Sequence, residues 1–190
     1  SFMFADVRHK LHACCHGAHA MIEGLRNLVA AHDITAQNLA ALSIRVNPRW
    51  LKVCDIKAPR TGLEVKFSYV FLAAMVLHHI DTAAYQSYDD SICGNAGLIA
   101  TASKITVIGD EAISDGAVNV SADTQTGVRH TTDFDLMDPI DLSVLGPRLV
   151  AKASVLIGPA RAEKIWESMD DLDSMPAAQI ARCLQPLQNA

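Results

Sequence analysis

Aromatic side chains are scarce in this 190-residue chain, which has two Trp, three Tyr and five Phe, and only 19% of its residues are charged. Half are apolar, so a core can be assembled mainly from aliphatic side chains, and charge-driven disorder is excluded. Lys and Arg form no cluster and the net charge is −5, which argues against nucleic acid as a partner. The longest apolar run, Tyr69–Leu77, is less than half of the roughly 20 residues that a membrane helix needs. With no leader-like pattern ahead of the folded segments, a cytoplasmic protein with no membrane partner is expected. The five cysteines, at 14, 15, 54, 93 and 183, are odd in number and lack the spacing of a small disulfide framework, so they read as reduced thiols. The chain starts at Ser1 rather than Met, from which a trimmed product with further sequence upstream is expected.

Charge is unevenly spread. Residues 1–66 carry 9 basic and 5 acidic side chains, and residues 67–190 carry 7 and 16. The first third would attract a small anion, and an uneven solvated surface explains the same count. Met21, Ile22, Leu25, Leu28 and Val29 recur at helical spacing, with Glu23, Arg26 and Asn27 between them, which predicts a helix from Ala18 to about His32. After a short turn capped by Thr35, Leu42, Ile44 and Val46 alternate with Ser43 and Arg45 as in a half-buried strand, which Pro48 stops. Thr61-Gly-Leu-Glu64 has capping-box spacing ahead of residues 65–80, predicted as one central buried helix. A further helix is expected over residues 92–103. Strands are expected at 104–108, 117–122 and 128–132, with a hairpin through Asp123-Thr-Gln-Thr-Gly127. Helices at 142–156, 159–168 and 176–187 complete the pattern. Without a regular βαβ alternation the fold class is α+β, with helices packed on a mostly antiparallel sheet. The expected division is a lid-like domain over residues 1–137 and a helical segment over 138–190.

Residues 10–19, K-L-H-A-C-C-H-G-A-H, place one ammonium, three imidazoles and two thiols just before the first helix. Three readings of this stretch stay open. His9, His12, Cys14, Cys15, His16 and His19 have the ligand types for tetrahedral zinc, but adjacent cysteines coordinate poorly together and no second ligand pair follows. Cysteines and a helix-opening His19 also serve as packing. As an anion or acid/base site, Lys10 supplies fixed charge and His16 or His19 carries a proton near neutral pH. Lys66 and Ser68, in E-V-K-F-S, bring polar groups to the buried helix, where Lys66 pairs with Glu64, faces solvent or meets a carboxylate ligand. His78-His79 suits the negative end of a helix dipole, and Asp170, Asp171 and Asp173 read as solvated surface.

K-L-H-A-C-C-H-G-A-H, then P-R-T-G-L-E-V-K-F-S, then L-V-A-K and G-P-A-R-A-E-K-I-W resembles, in that order, the second half of MmgE/PrpD proteins. That family includes 2-methylcitrate dehydratase, cis-aconitate decarboxylase and iminodisuccinate epimerase. Its usual motifs are K-x-Y-P-C-C-x-x-x-H and E-A-K-F-S. The resemblance implies a large all-helical domain, made by the first half of a longer chain and completed by the last helices, with an α+β lid over the active site. This chain would be the lid and the returning helical tail.

The resemblance also implies that Lys10 projects into the cleft to hold or protonate a small di- or tricarboxylate, with Cys15 and His19 alongside. It implies no metal and no organic cofactor, proton-abstracting groups mostly in the missing N-terminal helical domain, and a homodimer when full length. Catalytic roles are therefore expected for Lys10, His19 and His16, and substrate contacts for Lys10, Cys15, Lys66 and Ser68. His12 in place of Tyr or Phe and Ala13 in place of Pro depart from the pattern, and Cys15 stands where family decarboxylases place another residue such as His. The expected activity is a cofactor-independent lyase, most like 2-methylcitrate dehydratase. The alternatives are a family decarboxylase or epimerase, a non-catalytic carboxylate-binding module, and a zinc protein. The 190 residues alone are expected to be inactive and to expose the apolar faces of residues 139–187.

Overall fold

A computed structural model describes residues 8–185, except the side chains of Cys183 and Leu184. The expected thiol of Cys183 and the end of the helix expected to reach residue 187 therefore lie outside the described residues. The chain divides into two compact units between Ile140 and Asp141.

The first unit is α+β. Helix α1 (His19–His32) leads through a turn to strand β1 (Leu39–Val46). Short helices α2 (Leu51–Cys54) and α3 (Gly62–Val65) precede α4 (Tyr69–Leu77) and α5 (Ala96–Ala102). Strands β2 (Ile105–Gly109), β3 (Ala117–Thr124) and β4 (Arg129–Asp135) complete a sheet of order β2-β1-β3-β4. Only the β1–β2 pair is parallel.

Strand register explains why one sheet face is covered. Ile44 pairs with Val120, Val46 with Val118 and Leu42 with Ala122, so the buried residues of β1 and β3 share one face. On the opposite face Asn119 donates to Asp133 at 2.8 Å and Ser121 pairs with Thr131 at 3.1 Å, a solvated ladder. Helix α1 lies on the apolar face. Its Gly24 leaves room for Phe134 and Val118, whose side-chain atoms stand 3.2 Å from where a Cβ would be. Helix α4 is buried on every side, as its nearly continuous apolar sequence requires.

The helix expected over residues 65–80 is broken. Ser68 is extended (φ −121°, ψ 102°), bridges to Asp55 and caps α4 by accepting from the Phe71 N–H at 3.3 Å. Its hydroxyl donates to the Ile56 carbonyl at 2.5 Å, so a tertiary partner holds the break open. Thr61 does cap α3, but the Glu64 carboxylate accepts from the Arg60 N–H at 2.6 Å and does not close a reciprocal box. The helix expected at 92–103 is likewise divided, into a 3₁₀ turn over Asp90–Gly94 and α5, because Asn95 caps α5 by accepting from the Leu98 N–H.

In the second unit α6 (Leu142–Ile157) turns at Gly158, φ +85°, into α7 (Pro159–Glu167), and α8 (Ala177–Leu184) follows. Gly146 of α6 admits the Trp166 ring of α7 to within 2.7 Å of an absent Cβ. Leu142, Val144, Leu156, Trp166 and Met169 are exposed.

Candidate functional site

The residues before α1 form two layers. In the outer layer Arg8, His9 and Lys10 are exposed, and His16, in a 3₁₀ turn over His16–Ala18, is half-buried. Burial, then the Lys10 ammonium and the Arg8 guanidinium, hold His16 below its ordinary pKa of 6.5. His16 therefore favours the neutral form near pH 7 and sits in a field of positive charge.

Beneath it lies a buried polar network. The His19 ring is 5.1 Å from that of His16 and 5.0 Å from that of His12, the latter edge to face. His12, 1% exposed, places Nε2 at 2.8 Å from Glu23 Oε1 and Nδ1 at 2.8 Å from Thr82 Oγ1. The Ala13 N–H donates to the Thr82 carbonyl, which also accepts from the Tyr88 hydroxyl, so the segment around His12 is fixed at both backbone and side chain. Thr82 also lines a cleft of about 350 Å³ with Arg26, His79 and Asp81.

A third group surrounds the paired cysteines. The Cys15 N–H donates to the Lys66 carbonyl at 3.0 Å. The Lys66 ammonium lies over the rings of Tyr85 and Tyr88, 4.6 and 5.0 Å from their centroids. Burial raises the pKa of Cys54, and hydrogen-bonding contact with the Cys15 thiol adds to the rise. The Tyr69 and Tyr88 hydroxyls are also pushed up by burial. The Tyr69 hydroxyl donates to the Gly17 carbonyl at 2.8 Å.

The structure thus places His16 within electrostatic reach of Lys10, and Cys15 against the backbone of Lys66. His19 is buried behind His16. Ser68 is fully buried with its hydroxyl engaged by Ile56 and Phe71, so it shapes the start of α4 and presents nothing to a ligand. His78 Nε2 pairs with Thr101 Oγ1 at 2.8 Å and ties α4 to α5. Among the described residues no three His, Cys, Asp or Glu side chains are grouped to hold a metal ion, and no helix is long and apolar enough to cross a membrane. Glu23, Thr82, Tyr85, Tyr88 and Cys54 were not singled out by sequence reasoning. One signal was available for Glu23: it lies one turn after His19 on the same helix face.

A search of curated proteins finds no match to the chain. The MmgE/PrpD C-terminal domain matches residues 12–137, starting two residues after Lys10 and taking in the buried His12 network, the cysteine pair and the whole sheet. Well over half of the chain is covered, and the chain belongs to the MmgE/PrpD family.

Proposed function

We propose that the chain is the C-terminal portion of a cofactor-independent lyase acting on a small di- or tricarboxylate, with a reaction like that of 2-methylcitrate dehydratase. The observation that carries this reading is the exposed Lys10 ammonium in front of half-buried His16, whose pKa falls partly because of that ammonium. Proton removal next to a carboxylate builds negative charge on an enolate-like species. A fixed ammonium stabilises that charge more in the transition state than in the ground state. A histidine held neutral near pH 7 suits proton transfer beside it. Lys66, whose charge rests on aromatic faces and whose carbonyl holds the Cys15 N–H, offers a second cation for a substrate carboxylate.

In this proposal residues 1–137 form the lid and residues 138–190 return to a helical domain encoded upstream, which supplies the remaining acid/base groups and the homodimer contact. The test is an assay of the longer polypeptide and of the 190 residues alone against 2-methylcitrate, cis-aconitate and citrate. Turnover by the longer polypeptide and none by the 190 residues is expected. Turnover by the 190 residues alone would refute the divided site, and preference for cis-aconitate would replace dehydration by decarboxylation. Lys10→Ala in the longer polypeptide should lower turnover by about 100-fold or more, the scale of removing one oxyanion-stabilising donor.

A further inference from the structure

The cleft of about 350 Å³ beside Thr82 has opposite charges on its two walls. Helix α1 supplies Arg26 and, three residues on, Val29 to one wall. The end of α4 and the loop after it supply Val76, His79, Ile80, Asp81 and Thr82 to the other. Arg26, His79 and Asp81 are exposed, and among the described residues neither the Arg26 guanidinium nor the His79 imidazole makes a hydrogen bond or an ion pair. The Asp81 carboxylate accepts from the Ala83 N–H at 2.8 Å through Oδ1, which leaves Oδ2 to the cleft. A guanidinium and a carboxylate that line one small cleft without pairing leave room between them for a ligand. His79 shows that its wall is built at a conformational cost. The Ile80 N–H donates to the Met75 carbonyl at 2.9 Å and the His79 N–H to the Val76 carbonyl at 3.0 Å, the two bonds of a Schellman ending of α4. His79 is therefore left-handed, at φ +56°. Glycine takes this conformation freely, and here a residue whose imidazole lines the cleft takes it instead.

We propose that this cleft binds a free α-amino acid with a branched aliphatic side chain. The ligand carboxylate accepts hydrogen bonds from the Arg26 guanidinium, whose fork matches it, and from His79, whose ring carries an N–H donor in either protonation state. The ligand ammonium meets the Asp81 carboxylate, beside the negative end of α4. The aliphatic side chain lies on Val29, Val76 and Ile80 and takes their apolar surface out of water. A dicarboxylate or a phosphate would bring negative charge against Asp81, so the wall charges select a zwitterion over an anion. The volume, close to the roughly 300 Å³ lower limit of ligand pockets, suits a single amino acid and not a nucleotide. Thr82, whose carbonyl and hydroxyl hold Ala13 and His12, also lines the cleft, so the ligand sits against the loop that fixes the motif-bearing segment.

The inference is independent of the lyase reading, because none of the residues to which that reading gives a role lines the cleft. The native 190-residue chain is titrated with L-leucine, with 4-methylpentanoate, which lacks the ammonium, and with 3-methylbutylamine, which lacks the carboxylate. Proton NMR of the imidazoles locates binding and calorimetry measures affinity. L-Leucine should move the ring protons of His79 and not those of His16, and should bind about fivefold tighter or more than either analogue, the scale of one partly exposed charged contact. Arg26→Gln should reduce L-leucine to the affinity of the amine, and Asp81→Asn to that of the acid. Both side chains are exposed, so neither change disturbs the core. L-Leucine binding no tighter than an analogue, shifts at His16 rather than at His79, affinity unchanged in either variant, or no shift at any soluble L-leucine concentration while circular dichroism stays native would each overturn the proposal.

Discussion

His12 and Glu23 form a buried pair, with His12 Nε2 2.8 Å from Glu23 Oε1 and the two residues 1% and 7% exposed. Glu23 belongs to α1, whereas His12 lies in the irregular segment before it, so the pair fastens the motif-bearing stretch to the helix it precedes. Thr82 fastens the other edge of the same imidazole to the loop after α4. A phenylalanine ring at this position would need neither partner. This chain keeps the position filled with a polar ring and supplies a carboxylate and a hydroxyl to satisfy it.

That substitution makes a double-mutant cycle informative. Glu23→Leu leaves the buried His12 ring without its acceptor and should cost about 1–3 kcal/mol. His12→Phe removes the imidazole partner of the buried Glu23 carboxylate and should cost a similar amount. The double variant, with an apolar ring against an apolar side chain, should recover most of the loss. Urea midpoints of the four proteins measure this, and strictly additive losses would show that the two residues do not act as a pair.

His16 gives a pH dependence with a defined sign. Its folded pKa lies below its ordinary 6.5, so as pH falls the unfolded chain takes up the proton first. Its contribution to stability is intact above about pH 6.5, declines as pH falls towards the folded pKa, and then levels off. His16→Gln should flatten this part of the melting temperature profile. Lys10→Met should raise the His16 pKa towards 6.5 by removing a nearby positive charge, a shift that proton NMR of the imidazole reads directly. An unmoved or lower value in Lys10→Met would break the electrostatic link on which the lyase reading draws.

Strands β1 and β3 were legible because each carries a period-two pattern with one face against the core, and β4 because Gly127, at φ +81°, closes a short polar hairpin loop ahead of it. The interruption at Ser68 was not, because it depends on the Ile56 carbonyl, a partner that no local pattern reveals. Glu23 falls between the apolar positions of the α1 pattern, yet it is buried, 2.8 Å from His12, eleven residues earlier. Periodicity reports which face of a helix is apolar and says nothing of a polar partner arriving from another segment. For the same reason Lys10, His16 and Cys15 could be picked from the motif, whereas Tyr85, Tyr88 and Cys54 could not. These three reach the region through tertiary packing alone.

The break at Ser68 can be tested by deletion of its hydroxyl. Ser68→Ala removes the α4 cap and leaves the Ile56 carbonyl short of a donor, and a loss of about 1–2 kcal/mol is expected. Ser68→Thr retains the hydroxyl and should recover part of it. Calorimetric melting of both variants gives the comparison, and a Ser68→Ala protein as stable as the parent would mean that α3 and α4 are separated by something other than this side chain.

Gly62 tests how tightly the Lys66 region is built. A Cβ at Gly62 would stand 1.7 Å from the Tyr88 carbonyl oxygen, a backbone atom that no side-chain rotation can displace. The Gly62 N–H also donates to Asp90 at 2.7 Å, so α3 is drawn against the segment that carries Tyr88. Gly62→Ala must push the two apart, and a cost of about 3 kcal/mol is expected, at the upper end of overpacking penalties. Gly94→Ala is the control, since a Cβ there meets nothing within 4 Å, and should change stability by no more than about 0.5 kcal/mol. Because the Tyr88 ring lies under the Lys66 ammonium, displacement of its backbone should also disturb that contact. Urea midpoints rank the two variants, and equal stability would show that the approach of Tyr88 to α3 is loose enough to yield without cost.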